Sequence, residues 1–242
     1  MKISEMTLGE VVTEYPGASA ILSKYGVDFC CGGARRFAEA LRGHGLDPHV
    51  VGNEIVAQRV GGRRLDVKLG DFSTLQLIEH ILNFHHAYVR AQRVPLLSLA
   101  GKVVEVHGAR HPEYREAATL LAGMLDELEL HMRKEEEILF PAIIALAGHE
   151  ATGVPVPETC FGSVANPIRM MEIDHRQTGD ELFRLQKITS GYVLPDDACA
   201  SCEAFYQGMY HLQENTFEHV HLENNILFPR ALELERAACV RP

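Results

Sequence analysis

The sequence predicts an all-α protein: a small N-terminal helical domain followed by an up-down-up-down bundle of four long helices. Three observations carry this reading. Apolar residues recur at helical steps over four long segments, no stretch alternates with the period of two that a half-buried strand needs, and helix-start signals stand where the segments begin.

Taken in order, Thr7-Leu8-Gly9-Glu10 has the spacing of a capping box, in which a threonine side chain and a glutamate three residues on each take the other's backbone N–H. Pro16 suits the first turn of a second short helix, where its missing N–H needs no partner. Asp47-Pro48 repeats the cap-then-proline signal ahead of a helix running toward Arg59. Residues 1–65 therefore form the small domain. Gly61-Gly62-Arg63-Arg64 and the polar stretch through Asp71 read as a linker, with the boundary near residue 65 and the bundle in 66–242. A second capping box, Ser73-Thr74-Leu75-Gln76, opens the bundle. Its segments span about 74–107, 112–147, 167–189 and 197–236, separated by Gly108, by a loop holding Pro155, Pro157 and Pro167, and by Gly191 to Pro195.

Composition narrows the function. With 242 residues the chain can bury a substantial core, and a formal net charge of −10 would repel nucleic acid and anionic membrane surfaces alike. No apolar run approaches the length of a membrane span, and MKISEMTLGEVV lacks the apolar centre of a signal peptide, so the expected location is the cytoplasm, with reduced cysteines. The chain has 13 histidines and no tryptophan. The histidines carry meaning only if they converge.

Two of them sit in a repeat. HMRKEEEILFP, His131 to Pro141, and HVHLENNILFP, His219 to Pro229, share a histidine, a glutamate four residues on, and Ile-Leu-Phe-Pro at identical offsets. On the second long segment Leu121, Met124, Leu128, His131, Glu135 and Ile138 form the core-facing stripe. On the fourth it is Phe205, Met209, Leu212, Thr216, His219, Glu223 and Ile226, and on the third Ile168, Met171, His175, Thr178, Leu182 and Leu185. An isolated His-x-x-x-Glu is usually a surface pair. Two copies on core stripes would bury two carboxylates, which is costly unless they are paired or bind a metal.

The first segment supplies a further histidine from His85-His86, and periodicity does not choose between them. Four imidazoles and two carboxylates exceed a closed tetrahedral zinc site and suit a pair of iron or manganese ions. If each ion takes two histidines and shares both carboxylates and an oxo or hydroxo bridge, one octahedral position per ion stays open. Glu-x-x-His, the motif of carboxylate-rich di-iron bundles, occurs once on a core stripe, at Glu172 to His175, so the histidine-rich arrangement fits better. His80, His107, His111, His149, His211 and His221 lie off the stripes or in connections and read as solvated or secondary.

These residues resemble a known family. HHAY on the first helix, His-x-x-x-Glu with ILFP on the second and fourth, and EIDH on the third look like the hemerythrin-like domain of the RIC proteins, di-iron proteins for the repair of iron centres. YGVDFCCGG, with Cys30-Cys31-Gly32-Gly33, looks like the small ScdA-type domain that precedes the bundle there, and the resemblance covers nearly the whole chain.

It implies a ligand set of His86, His131, Glu135, His175, His219 and Glu223, with Glu135 and Glu223 as bridges and Glu127 as an outer carboxylate near two oxo- or hydroxo-bridged iron ions. It further implies repair of iron–sulfur clusters damaged by nitrosative or oxidative stress, with iron donation as the mechanism and damaged iron–sulfur proteins as clients. Nitric oxide reduction at the di-iron site, which would make the protein an enzyme, and binding or sensing of nitric oxide or dioxygen are the alternatives. Release of iron on reduction, gas turnover and reversible oxygenation separate the three. A homodimer is compatible with all of them.

The resemblance favours Cys30 and Cys31 as an exposed redox or transfer pair, followed by a flexible Gly-Gly turn, over small apolar fillers. Cys199-Ala-Ser-Cys202 is no part of the resemblance. A CxxC can be a redox pair or half a zinc site, and with no second pair nearby these two read as ordinary side chains.

Overall fold

Residues 3–15, 17–61, 69–157 and 159–240 are described by the structure, a computed structural model. Among the described residues the N-terminal unit has a 3-10 turn (Ile3–Glu5) and four α-helices: α1 (Leu8–Glu14), α2 (Ala18–Lys24), α3 (Phe37–Gly43) and α4 (Pro48–Gly61). The capping box of α1 forms in both directions, the Glu10 carboxylate accepting from Thr7 N–H and Thr7 Oγ1 from Glu10 N–H. Asp47 Oδ1 accepts from His49 N–H at 2.8 Å and so starts α4. Pro16 and the expected boundary near residue 65 lie outside the described residues.

Four helical rods follow. The first is α5 (Thr74–His80), a π-helical turn π1 (Ile81–His86) and α6 (Ala87–His107); the second is α7 (Pro112–Lys134), π2 (Glu135–Leu139) and α8 (Phe140–Thr152). The third is α9 (Ala165–Ile188), and the fourth is α10 (Ala200–Leu222), π3 (Glu223–Leu227) and α11 (Phe228–Val240). Ser73 and Gln76 close the second capping box. Pro167 falls inside the first turn of α9 rather than in the preceding loop, a place where an N–H is not needed. α6 packs on α7 and α10, α7 on α9, and α8 on α11, which is the adjacency of an up-down-up-down bundle. No helix among the described residues is long and apolar enough to cross a membrane.

The π turns follow from the repeat itself. Phe140 N–H donates to Glu135 C=O and Phe228 N–H to Glu223 C=O, each five residues back. Pro141 and Pro229 come next, without an N–H and with rings that would press on the carbonyl four residues earlier in a regular α-helix. Widening the turn by one residue relieves that clash. π1 has no proline and nothing equivalent explains it. One position corrects the expected stripe: Ile138 is 46% exposed and Leu139, at 1%, takes its place in the core, while Ile226, at the same offset in π3, is buried as expected.

Two apolar clusters result. One joins the N-terminal unit to the bundle, with Leu8, Leu22, Phe29 and Phe37 in the same core as Tyr114, Phe205 and Phe217; the Phe29 ring meets Phe217 edge-on at 5.9 Å. The other holds Leu77, Ile81, Leu139, Phe140, Ile143 and Phe228. The repeated His and Glu residues lie where the two clusters meet.

Candidate metal centre

His131 and Glu135 are one helical turn apart, as are His219 and Glu223, so each pair projects from one face of its rod. α9 brings His175 and π1 brings His86. All six side chains are buried and form two four-membered groups: His86, Glu135, His219 and Glu223, and His131, Glu135, His175 and Glu223. Both groups contain both carboxylates.

Each carboxylate turns one oxygen to each group. Glu135 Oε1 lies 3.0 Å from His131 Nε2 and 3.9 Å from His175 Nε2, and its Oε2 lies 3.4 Å from His86 Nε2 and 3.8 Å from His219 Nε2. Glu223 Oε2 is 3.1 Å from His175 Nε2 and Oε1 is 3.1 Å from His219 Nε2. None of the four oxygens has a hydrogen-bond donor, which a buried carboxylate does not normally tolerate. The Nε2 atoms also crowd in pairs, His131 with His175 at 3.0 Å and His86 with His219 at 3.2 Å. Cis ligands about 2.1 Å from one ion would stand roughly 3 Å apart, so the donor set fits two metal ions bridged by two carboxylates.

The electrostatics agree. Burial works against charge throughout, yet the charge of His131 holds the Glu135 carboxyl well below the usual range. Against the same burial, Glu135 and Asp174 lift His131 to about 9, and Glu135 and Glu223 lift His175 to about 10. The pocket is built for positive charge.

The opposite ring nitrogens are fixed from outside. His86 Nδ1 is 2.7 Å from Glu136 Oε1, which Arg90 also holds; His131 Nδ1 is 3.4 Å from Asp174 Oδ2, itself bonded to Lys134 at 2.8 Å; His175 Nδ1 is 2.9 Å from Asn224 Oδ1. Such partners select the tautomer that leaves Nε2 free for a metal. The sequence reading missed all three, although each is the chain neighbour of one of the six: Glu136 of Glu135, Asp174 of His175, Asn224 of Glu223. A residue beside one ligand position serves the ring of another helix.

Several expectations need correction. Glu127 does not touch the centre; it is exposed and takes a hydrogen bond from Gln177 Nε2 at 2.7 Å, while Asp174 holds the outer position at His131. Both His85 and His86 are buried, and only His86 turns Nε2 to the carboxylates; the His85 ring stacks behind His219, centroids 5.7 Å apart. His221 is buried rather than solvated, between Phe29, Thr13 and Asn225. A cleft of about 940 Å³, lined by His80, His85, Tyr88, Glu218 and His221 among others, opens beside these rings.

Cys30 is buried, not exposed, and its thiol donates to Asp28; Cys31 is half-buried. Gly32 and Gly33 form a closely packed turn. A Cβ on Gly33 would stand 1.9 Å from Asn225 Oδ1, and one on Gly32 2.7 Å from the Asp28 carbonyl, so the glycines let the cysteine loop sit against π3. Asn225 Nδ2 donates to Cys30 C=O at 3.0 Å.

Two family profiles match this chain, one described as a domain of unknown function (DUF542) over residues 4–59 and one described as the Hemerythrin HHE cation binding domain over residues 77–231. Among curated proteins, those named "Iron-sulfur cluster repair protein YtfE" from Salmonella schwarzengrund, Salmonella paratyphi B and Salmonella newport are each 32% identical over 232 residues, covering 96% of this chain and 99% of theirs.

Proposed function

The chain belongs to the RIC family of hemerythrin-like proteins, and from that premise we propose that it is a di-iron protein that repairs iron–sulfur clusters damaged by nitrosative or oxidative stress, acting as an iron donor in the cytoplasm. Its clients on this reading are damaged iron–sulfur proteins. The observation that carries the proposal is the pair of buried groups sharing Glu135 and Glu223, whose oxygens lack hydrogen-bond donors.

On this reading His86, His131, His175 and His219 are terminal ligands and the two glutamates bridge. Iron bound there would supply exchangeable ferrous ion, which stands low in the affinity series of divalent metals. The chain's own residues set the conditions for transfer. Glu136 and Asp174 orient two rings, the apolar clusters on either side keep water out, and Cys31 lies one side chain away from His175 through Asn224. Cys31 is the thiol of the pair suited to receive iron or nitric oxide: the neighbouring Cys30 thiol holds it below its usual range, while the same neighbour and burial push Cys30 well above.

The test loads the protein with iron, then follows transfer to a ferrous chelator and to a damaged cluster protein, before and after reduction. Faster release from the reduced protein, with recovery of the client's cluster, is expected. Iron held equally in both states, with catalytic consumption of nitric oxide, would replace donation by nitric oxide reduction.

A further inference from the structure

The CxxC that the bundle's function leaves unused acquires a third partner in the folded chain. Cys199 is the N-cap of α10 and Cys202 lies in its first turn, completely buried; their sulfurs are 3.6 Å apart. His107, the last residue of α6, points Nε2 at Cys199 Sγ from 3.3 Å across 92 positions of sequence. We propose that His107, Cys199 and Cys202 form a second metal site, for a thiophilic divalent ion of the zinc class, at the end of the bundle away from the carboxylate centre.

Geometry supports this first. The three donor atoms lie within 4.8 Å of one another. A tetrahedral ion with zinc's bond lengths separates two thiolate sulfurs by roughly 3.8 Å and a sulfur from an imidazole nitrogen by roughly 3.5 Å, close to the 3.6 and 3.3 Å found here. A Cys₂His set leaves one of four positions for water or a further ligand, and the exposed Cys199 side of the cluster faces solvent.

The chemistry is also in place. Backbone N–H groups of Cys202 and Ser201, together with His107, hold the Cys199 thiol down to about 6, so the thiolate that a metal requires is the ordinary form at neutral pH. Metal binding takes the sulfurs as thiolates, so any thiol proton leaves to solvent. The wall behind the buried sulfur is the fully buried Tyr114, whose ring meets His107 edge-on at 6.3 Å. The twenty residues from Cys199 to His219 place the two centres roughly 30 Å apart along the helix, too far to share a ligand.

The experiment uses the iron-loaded full chain, titrated under reducing conditions with Zn²⁺ and, for its spectrum, Co²⁺. One additional equivalent per chain is expected, and the cobalt form should show thiolate-to-metal charge transfer with the intense visible bands of a tetrahedral ion. Cys199→Ser, an exposed position that should fold normally, is expected to abolish that band while leaving the iron content unchanged. His107→Gln should weaken binding by more than the roughly 10–100-fold that follows loss of an outer partner. The double variant Cys30→Ser, Cys31→Ser should keep the band, which excludes the other thiol cluster. A band that survives Cys199→Ser, or no uptake beyond the iron, would overturn the proposal. So would a Cys199–Cys202 disulfide in the reduced-handled protein without metal uptake, which would make the pair a redox couple instead.

Discussion

Asn224 points its amide nitrogen at the sulfur of Cys31 from 3.8 Å while its carbonyl oxygen takes His175 Nδ1 at 2.9 Å. One side chain therefore links the N-terminal cysteine loop to the metal centre. Asn224→Ala should lower metal affinity by roughly 10–100-fold, because His175 loses the partner that fixes its tautomer. The effect should concentrate on the half of the centre that holds His131 and His175. Metal content under competition with a chelator checks this, and full occupancy at every chelator concentration would remove Asn224 from the site.

Because both groups contain both carboxylates, removing either glutamate takes a donor from each group. Glu135→Ala or Glu223→Ala should empty or halve the site. Glu136→Ala, which touches only His86 Nδ1 and Arg90, should leave two irons bound with weaker affinity. Elemental analysis decides. Two irons per chain in either bridging variant would show that the carboxylates do not bridge.

Replacing Cys30 and Cys31 together by Ser should leave the di-iron spectrum intact, since neither belongs to the six buried residues, and should impair cluster repair in a reconstituted assay. Repair at the wild-type rate by a folded double variant would return the pair to a packing role.

Gly33→Ala tests how the cysteine loop is seated. Its Cβ would overlap Asn225 Oδ1 at 1.9 Å, and Asn225 cannot move without releasing the Cys30 carbonyl. Overpacking of this kind costs about 1–3 kcal/mol. The variant should unfold at lower urea and its cysteines should react faster with a thiol reagent. Unchanged thiol reactivity would mean that the loop is held elsewhere.

Acid should destabilise the fold through buried neutral histidines. Burial lowers His221 to about 4, and burial with the charges of His219 and His80 lowers His85 to about 3. In the unfolded chain both titrate near 6.5. Stability is thus intact above that value and falls as the pH drops toward the folded values, because the unfolded state binds protons that the folded state refuses. The slope approaches about 1.4 kcal/mol per pH unit for each group. His221→Gln removes one group, so its urea midpoint should fall less steeply than the wild type's between pH 6.5 and 4.5. Parallel curves would assign the acid sensitivity to other residues.

What could be read from the chain is what repeats within a single helix. His131 with Glu135, His219 with Glu223, and the stripe through His175 are local spacings, and a bundle turns such stripes inward whatever its detailed packing. The capping boxes at Thr7 and Ser73 are local too, each closed within four residues. Helices, their inward faces and the convergence of these histidines and glutamates were legible for that reason.

The pairings between helices belong to the folded molecule. Whether Glu127 or Asp174 meets His131 and whether His107 reaches Cys199 depend on how one rod is rotated against the next, and only the family resemblance, not periodicity, chose His86 over His85. At π2 Ile138 is exposed and Leu139 buried, whereas at π3 both Ile226 and Leu227 are buried. His221 is likewise buried by the N-terminal unit, through Phe29 and Thr13, which no periodicity of α10 could announce. Where the helices run and which stripe carries the repeated histidines and glutamates follow from the chain alone, because both are properties of one helix; the partners those side chains meet come from packing, because contact is a property of two.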